Sequence, residues 1–209
     1  MLKSRLCIAF FAFAVGCAPA QKPLTDYVNP MLGTATLWDS VDLGFKPTKR
    51  TWGAEVFPGS SLPNAMVQVS PVTKFHSGAG YQYEDSVIYG FTHTNKGHWN
   101  LCHIPLLPVT GTPTPGDYCS PFSHERESAA PGYYQVFLDR YGVDAQLSST
   151  LRCAFHKYTY PAGAAASLLA DLQRSNEHVR AWDIRKEGDN VFAGWQQTGE
   201  KMYFLSLIH

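Results

Sequence analysis

Between Phe91 and His103 the chain concentrates side chains that could recognise a small polar molecule. His93, His98 and His103 carry imidazoles, Asn95 and Asn100 carry amides, Trp99 offers a flat indole and Cys102 a thiol. Imidazoles and amides both donate and accept hydrogen bonds, whereas an indole presents an apolar face with one donor at its edge. His98, Cys102 and His103 have a spacing that would suit zinc on a helix, but Gly97 before them and Pro105 after them make a helix poor, so no zinc site is expected. Glu84 with Asp85, and Glu125 with Glu127, form carboxyl pairs that invite an acid–base assignment. Adjacent strand residues point to opposite faces, and all four read as solvated turn residues. Asp39 and Asp42 offer too few oxygens for a calcium ion. Trp38 and Trp52 share a loop rich in Gly, Pro and Asp and are weaker candidates for lining a cleft. No G-x-S-x-G, P-loop or H-E-x-x-H motif occurs.

The elements that must position these residues are strands. Met66–Ser70 alternates at period two and is expected to stop at Pro71. Tyr133–Leu138 and Val143–Leu147 flank Asp139-Arg140-Tyr141-Gly142, a strong hairpin signal. Leu151–Tyr160 follows, with Leu151, Cys153 and Phe155 on one face and Pro161 at its end. Further strands are expected at Ser167–Leu172, Val179–Ile184, Val191–Trp195 and Met202–Ile208. No window of twelve or more residues carries a helical stripe. Short strands at roughly ten-residue spacing predict an all-β, antiparallel β-sandwich. The irregular stretches Thr34–Glu55 and Thr92–Pro105 are then long loops on that scaffold, where function usually sits.

Composition agrees. Of 209 residues 16% are charged, and 13% are aromatic, with 17 Gly and 14 Pro. A soluble domain averages roughly 25% charged residues, and this profile excludes disorder, coiled coil and helical bundle. Seventeen basic and 17 acidic side chains cancel, which argues against a nucleic-acid partner or a polybasic membrane surface.

Residues 1–20 read as a signal peptide. Lys3 and Arg5 precede an apolar run, Leu6–Val15, too short to span a bilayer. Ala14-Val15-Gly16-Cys17 resembles a bacterial lipobox, which would place a lipid on Cys17; Ala18-Pro19-Ala20 fits ordinary cleavage after Ala20. The protein is expected to be exported, to the periplasm or as a lipoprotein of the outer membrane or cell surface, touching membrane only through that lipid. Cys102, Cys119 and Cys153 remain, either as one disulfide and a thiol or as three thiols. The expected sandwich domain, 21–209, ends on the apolar Leu207-Ile208-His209, which suggests an N-terminal piece of something longer.

An ordered series of motifs then narrows the reading: Val28-Asn29-Pro30-Met31-Leu32-Gly33-Thr34, Val56 to Pro63 leading into Met66 to Pro71, Gly80-Tyr81-Gln82-Tyr83, Ile88 to Thr94, Pro105 to Gly111, Phe122-Ser123-His124-Glu125, Pro131 to Val136 and Ser149-Thr150-Leu151-Arg152. From about Tyr27 onward the chain resembles the N-terminal domain of glycoside hydrolase family 92, the exo-acting α-mannosidases. The resemblance implies a supersandwich of the galactose-mutarotase type packed on a helical (α/α)-barrel. It also implies a secreted or anchored enzyme that removes terminal α-mannose from glycans with inversion and with calcium.

Inversion needs two carboxyl groups roughly 6.5–9.5 Å apart. In the family these, and most calcium ligands, belong to the barrel, so no catalytic or metal residue is assigned here and the isolated chain is expected to be inactive. What this domain would contribute is substrate binding by His93, Asn95, His98, Trp99 and Asn100: a stacking face and fixed partners for hydroxyls. Many members follow Thr-His-Thr with a second His and a Ser/Gly-rich turn. Here Asn95-Lys96-Gly97-His98-Trp99 stands instead, a departure that bears on linkage preference and the leaving-group subsite. A free-standing carbohydrate-binding module, and a purely structural support for the barrel, are the alternatives.

Overall fold

The computed structural model describes residues 21–46, 54–98, 100–114 and 116–209. The signal segment with Cys17, and Trp52 and Trp99, lie outside the described residues. Among those described, helix is confined to single turns: 3-10 turns at Leu24–Tyr27 and His124–Arg126, and one α turn at Ser40–Leu43 whose N-cap, Asp39, accepts the Val41 N–H. The rest is β-structure. In chain order the strands are β1 (Ser60–Ser61), β2 (Gln68–Val72), β3 (Val87–Ile88), β4 (Gly90–Thr92), β5 (Leu106–Thr110), β6 (Ser120–Pro121) and β7 (Glu127–Ala130), then β8 (Tyr133–Leu138), β9 (Val143–Ser149), β10 (Ala154–Thr159), β11 (Ala166–Ala170), β12 (Ala181–Gly188), β13 (Val191–Gln197) and β14 (Lys201–Leu207).

All pairings are antiparallel. One sheet runs β1-β2-β4-β5-β11 and a second β10-β9-β8-β7; β12-β13-β14 and β3-β6 form smaller sheets. Alternation decides which faces meet. Tyr134, Val136 and Leu138 of β8 and Val143, Ala145 and Leu147 of β9 point inward, against Val69, Phe91, Leu107 and Val109 of the facing sheet. Removing such side chains from water contributes about 1.5–3 kcal/mol each, and this is the sandwich core. The β8–β9 connection closes with Gly142, whose N–H donates to Leu138 O at 2.8 Å; its φ of 65° suits glycine.

Several expectations are revised. The strand around Pro71 does not stop there but continues to Val72. Two-residue β1 pairs only with Gln68 and Val69, so no named strand lies on that side of Pro71 to need its missing N–H. The face of β10 is the reverse of that expected: Leu151 and Phe155 are 52% and 69% exposed, while Ala154 and Tyr158 pack on the core.

The inward residues of β10 build a polar chain across the sandwich. Tyr158 Oη stands 2.6 Å from His156 Nδ1, His156 Nε2 is 3.1 Å from His93 Nε2, and His93 Nδ1 is 2.7 Å from Ile104 O. The carbonyl fixes the direction: His93 donates from Nδ1, so its Nε2 accepts from His156, whose Nδ1 accepts the tyrosine hydroxyl. Both rings are neutral in this arrangement. Burial lowers His93 to about 4 and lowers His156 well below its ordinary value, the neighbouring His93 adding to the latter effect.

Glu127 likewise corrects its reading as a solvated turn residue. Its side chain is 2% exposed, and its carboxyl accepts from Tyr81 at 3.0 Å, Tyr134 at 2.5 Å and His124 Nδ1 at 2.5 Å. Burial first, then Glu127, pushes both tyrosines well above their ordinary range. Cys102, Cys119 and Cys153 are all free thiols.

Two outcomes are expected. As pH falls from 6.5 towards about 4, the unfolded state takes up a proton that folded His93 refuses. Stability should therefore be full above that window and fall within it by about 1.4 kcal/mol per pH unit for this residue; a flat urea-midpoint profile over the window would contradict the chain of bonds. Replacing Glu127 by Ala strands two buried tyrosine hydroxyls and should cost about 2–4 kcal/mol by urea unfolding, with Glu127→Gln costing less.

Candidate functional site

The segment leaving β4 at Thr92 and entering β5 at Leu106 runs largely inside the protein without regular structure, and its backbone is held by side chains from distant parts of the chain. Gln196, wholly buried on β13, accepts the Ile104 N–H at 2.7 Å and donates to Leu172 O and Arg174 O at 3.0 and 2.9 Å. Glu177 accepts the Leu101 N–H at 3.0 Å and the Thr198 hydroxyl at 3.3 Å. His103, also fully buried, lies between Thr94 and Thr198, its nitrogens 2.8 and 3.0 Å from their hydroxyls. Because Thr198 donates to Glu177, His103 donates from Nε2 and accepts at Nδ1. Burial lowers its pKa, partly opposed by Glu177.

The candidate residues separate into two groups. His93 has both nitrogens engaged within the chain, as described above. Asn95 is 1% exposed; its amide donates to Ala79 O at 2.6 Å and accepts from Gly97 N at 3.3 Å. These two shape the loop from inside. His98 is exposed: its backbone N–H donates to Glu55 Oε2 at 2.8 Å and its ring nitrogen Nδ1 lies 3.3 Å from the same oxygen. Asn100 closes the turn by donating its N–H to Gly97 O at 3.3 Å and is partly exposed. His98 and Asn100 therefore lie at the surface end of the loop and flank position 99. Cys102 faces inward, where burial raises its thiol to about 12. Among the described residues no three His, Cys, Asp or Glu side chains stand close enough to share a metal ion. Trp38 is 52% exposed.

Two features were not legible beforehand. Of the seven described non-glycine residues with left-handed backbone, six surround this turn: Glu55, His76, His98, Leu101, Cys102 and Ile104, with φ between 53° and 63°. Each costs about 1–2 kcal/mol, and such strain gathers at functional sites. Glu55 Oε1 and Asn176 Oδ1 are the buried side-chain oxygens left without a partner among the described residues. Both border the same segments. A Cβ on Gly78 would lie 2.9 Å from Glu55 Cγ, and one on Gly97 3.0 Å from Glu55 O. Asn176 donates its amide to Ser77 O at 2.8 Å and its N–H to Leu101 O at 3.0 Å. The bond to Ser77 O orients the amide, so the free atom is the oxygen, an acceptor. No sequence signal marks Glu55, Asn176, Glu177 or Gln196.

Replacing Gln196 by Ala would leave the Ile104 N–H and two carbonyls without partners. The urea midpoint should fall by the equivalent of about 2–4 kcal/mol with the slope unchanged.

The sequence matches the glycosyl hydrolase family 92 N-terminal domain over residues 27–206. The structure is similar to that of the family GH92 α-mannosidase BT3965 from Bacteroides thetaiotaomicron in complex with mannoimidazole, with a TM-score of 0.72 and 29% identity, over 84% of this chain and 23% of that one. It is also similar to the family GH92 glycosyl hydrolase ccman5, with a TM-score of 0.60 and 28% identity, over 71% and 23% of the two chains. The inverting mannosidase BT2199 from Bacteroides thetaiotaomicron VPI-5482 shares the fold at a TM-score of 0.70 and 23% identity, over 89% and 25%. No curated protein matches the chain. The chain spans about a quarter of the length of these solved relatives. With a match that covers most of its length, the chain belongs to glycosyl hydrolase family 92, and residues 27–206 are its N-terminal domain.

Proposed function

We propose that this chain is the substrate-shaping front of an exported, inverting, calcium-assisted α-mannosidase that removes terminal α-mannose from glycans. The observation that carries the reading is the family match over residues 27–206, joined to the likeness to a mannosidase described in complex with mannoimidazole. In this reading the complete domain is a supersandwich of the galactose-mutarotase type. The family resemblance places the acid, the base and most of the calcium ligands in a partner (α/α)-barrel. Calcium, when bound there, would orient the sugar for displacement.

This chain's residues would bind and orient. His98 and Asn100 meet the sugar at the surface end of the loop, with Trp99 between them in sequence. His93 and Asn95 hold the loop's shape from below. The apolar row Tyr203, Leu205 and Leu207 along β14, each at least 64% exposed, gives the partner domain a surface to cover.

Three measurements test the reading. The purified chain should release no product from aryl α-mannosides, and measurable turnover would move the catalytic pair into this domain. Saturation-transfer NMR should detect weak contact with methyl α-mannoside that is reduced by Trp99→Ala; strong binding with no need of a barrel would favour a carbohydrate-binding module, and no contact at all a structural support. Mass spectrometry of the mature N-terminus should find a lipid on Cys17, and an unmodified end at Gln21 would instead establish ordinary cleavage.

A further inference from the structure

A groove of about 470 Å³ opens on the other flank of the loop that follows β2, lined by Thr73, Lys74, Phe75, Asp85, Tyr89 and Arg174 among others. Its volume lies in the range of ligand pockets. Phe75 and Tyr89 are half-buried, their ring centroids 6.1 Å apart and tilted by 54°, so two aromatic surfaces meet at an angle along one wall. Arg174 sits with its guanidinium 5.8 Å from the Tyr89 ring centroid and 3.4 Å from Asp171. Asp85 accepts the Thr73 hydroxyl at 2.8 Å and Glu84 accepts the Thr36 N–H at 2.7 Å, which orients two carboxyl groups of the lining.

The chemistry of this lining selects a class of ligand. Among the described lining residues, Lys74 and Arg174 supply donors and Glu84 and Asp85 supply acceptors. Each hydroxyl of a sugar both donates and accepts, and the lining joins cationic donors and carboxyl acceptors to an aromatic pair. A pyranose ring presents C–H faces to aromatic rings and hydroxyls to its rim. The groove is open rather than enclosed, which suits a residue within a longer chain rather than a terminal one.

The groove also adjoins the loop described above. Thr73 and Lys74 donate their N–H groups to Gly80 O at 2.7 and 3.1 Å, closing the loop that carries Ser77 and Gly78 beneath Asn176 and Glu55. Arg174 stands two residues before Asn176. The groove and the Gly97–Leu101 turn thus border the same loop.

We propose that the groove is a second saccharide subsite, holding an inner sugar of the glycan whose terminal residue is met at the Gly97–Leu101 turn. The proposal rests on the reading of this domain as one that meets a glycan. Binding of methyl α-mannoside and of a linear α-mannotetraose to the full chain, measured by ligand-observed NMR titration, separates the two. The tetraose should bind at least fivefold more tightly. That gain should disappear in Phe75→Ala and shrink in Lys74→Ala, while the affinity for methyl α-mannoside and the melting temperature of Lys74→Ala stay unchanged.

A tetraose that binds no more tightly than the monosaccharide, or a gain that survives both substitutions, overturns the groove and leaves mannose recognition at the turn intact. Should the chain ignore mannosides but bind another oligosaccharide from a glycan array, with loss in Phe75→Ala, the groove stands and the mannose reading falls. Binding of no glycan at all overturns both.

Discussion

A segment that runs through the inside of a protein without regular structure must find a partner for nearly every backbone N–H and C=O, because a buried polar group left unpaired costs on the order of 1–3 kcal/mol. The stretch from His93 to Pro105 is under that constraint, and much of the surrounding architecture is arranged to meet it. Gln196 comes from β13, Glu177 from the connection between β11 and β12, and His93 reaches back to Ile104 O from the far end of the same segment. The three-stranded sheet is thus tied to this segment through the side-chain amide of Gln196. This explains why a fully buried glutamine stands near the end of β13.

The same logic governs the sandwich interior. The chain from Tyr158 through His156 and His93 to Ile104 O crosses from the four-stranded sheet to the five-stranded one, and each imidazole in it donates from one nitrogen and accepts at the other. Glu127 does the equivalent at the other side of β8, collecting Tyr81, Tyr134 and His124 on one carboxyl. An aromatic-rich, charge-poor chain can fill its core with tyrosine and histidine only when such partners are supplied.

How far the sequence discloses this depends on the distance over which partners act. The hairpin of β8 and β9 was legible because alternation and the Asp-Arg-Tyr-Gly turn are local, and Tyr133–Leu138 forms the strand expected of it. The proline within Leu106–Thr110 and the brevity of β3 and β6 hid strands that tertiary pairing alone completes. On β10, Phe155 looked like the core residue, yet the smaller Ala154 and the hydrogen-bonded His156 and Tyr158 took the inner face. In the loop, His98 and Asn100 lie at the surface end, whereas the side chains of His93 and Asn95 are bonded within the chain. Ile104 and Gln196 are separated by 92 positions, and no local pattern relates them.

The left-handed residues around the turn bear on how this protein can vary. At His98, Leu101, Cys102 and Ile104 the backbone already occupies the region that glycine enters freely. Glycine there relieves local strain but widens the unfolded ensemble, so the two effects oppose and the change is close to neutral. Proline, whose ring holds φ near −65°, is incompatible at the same four places. The stretch therefore refuses proline at these places, and a relative that differs here while keeping this backbone would do so by exchanging side chains on a fixed path rather than by redrawing the loop.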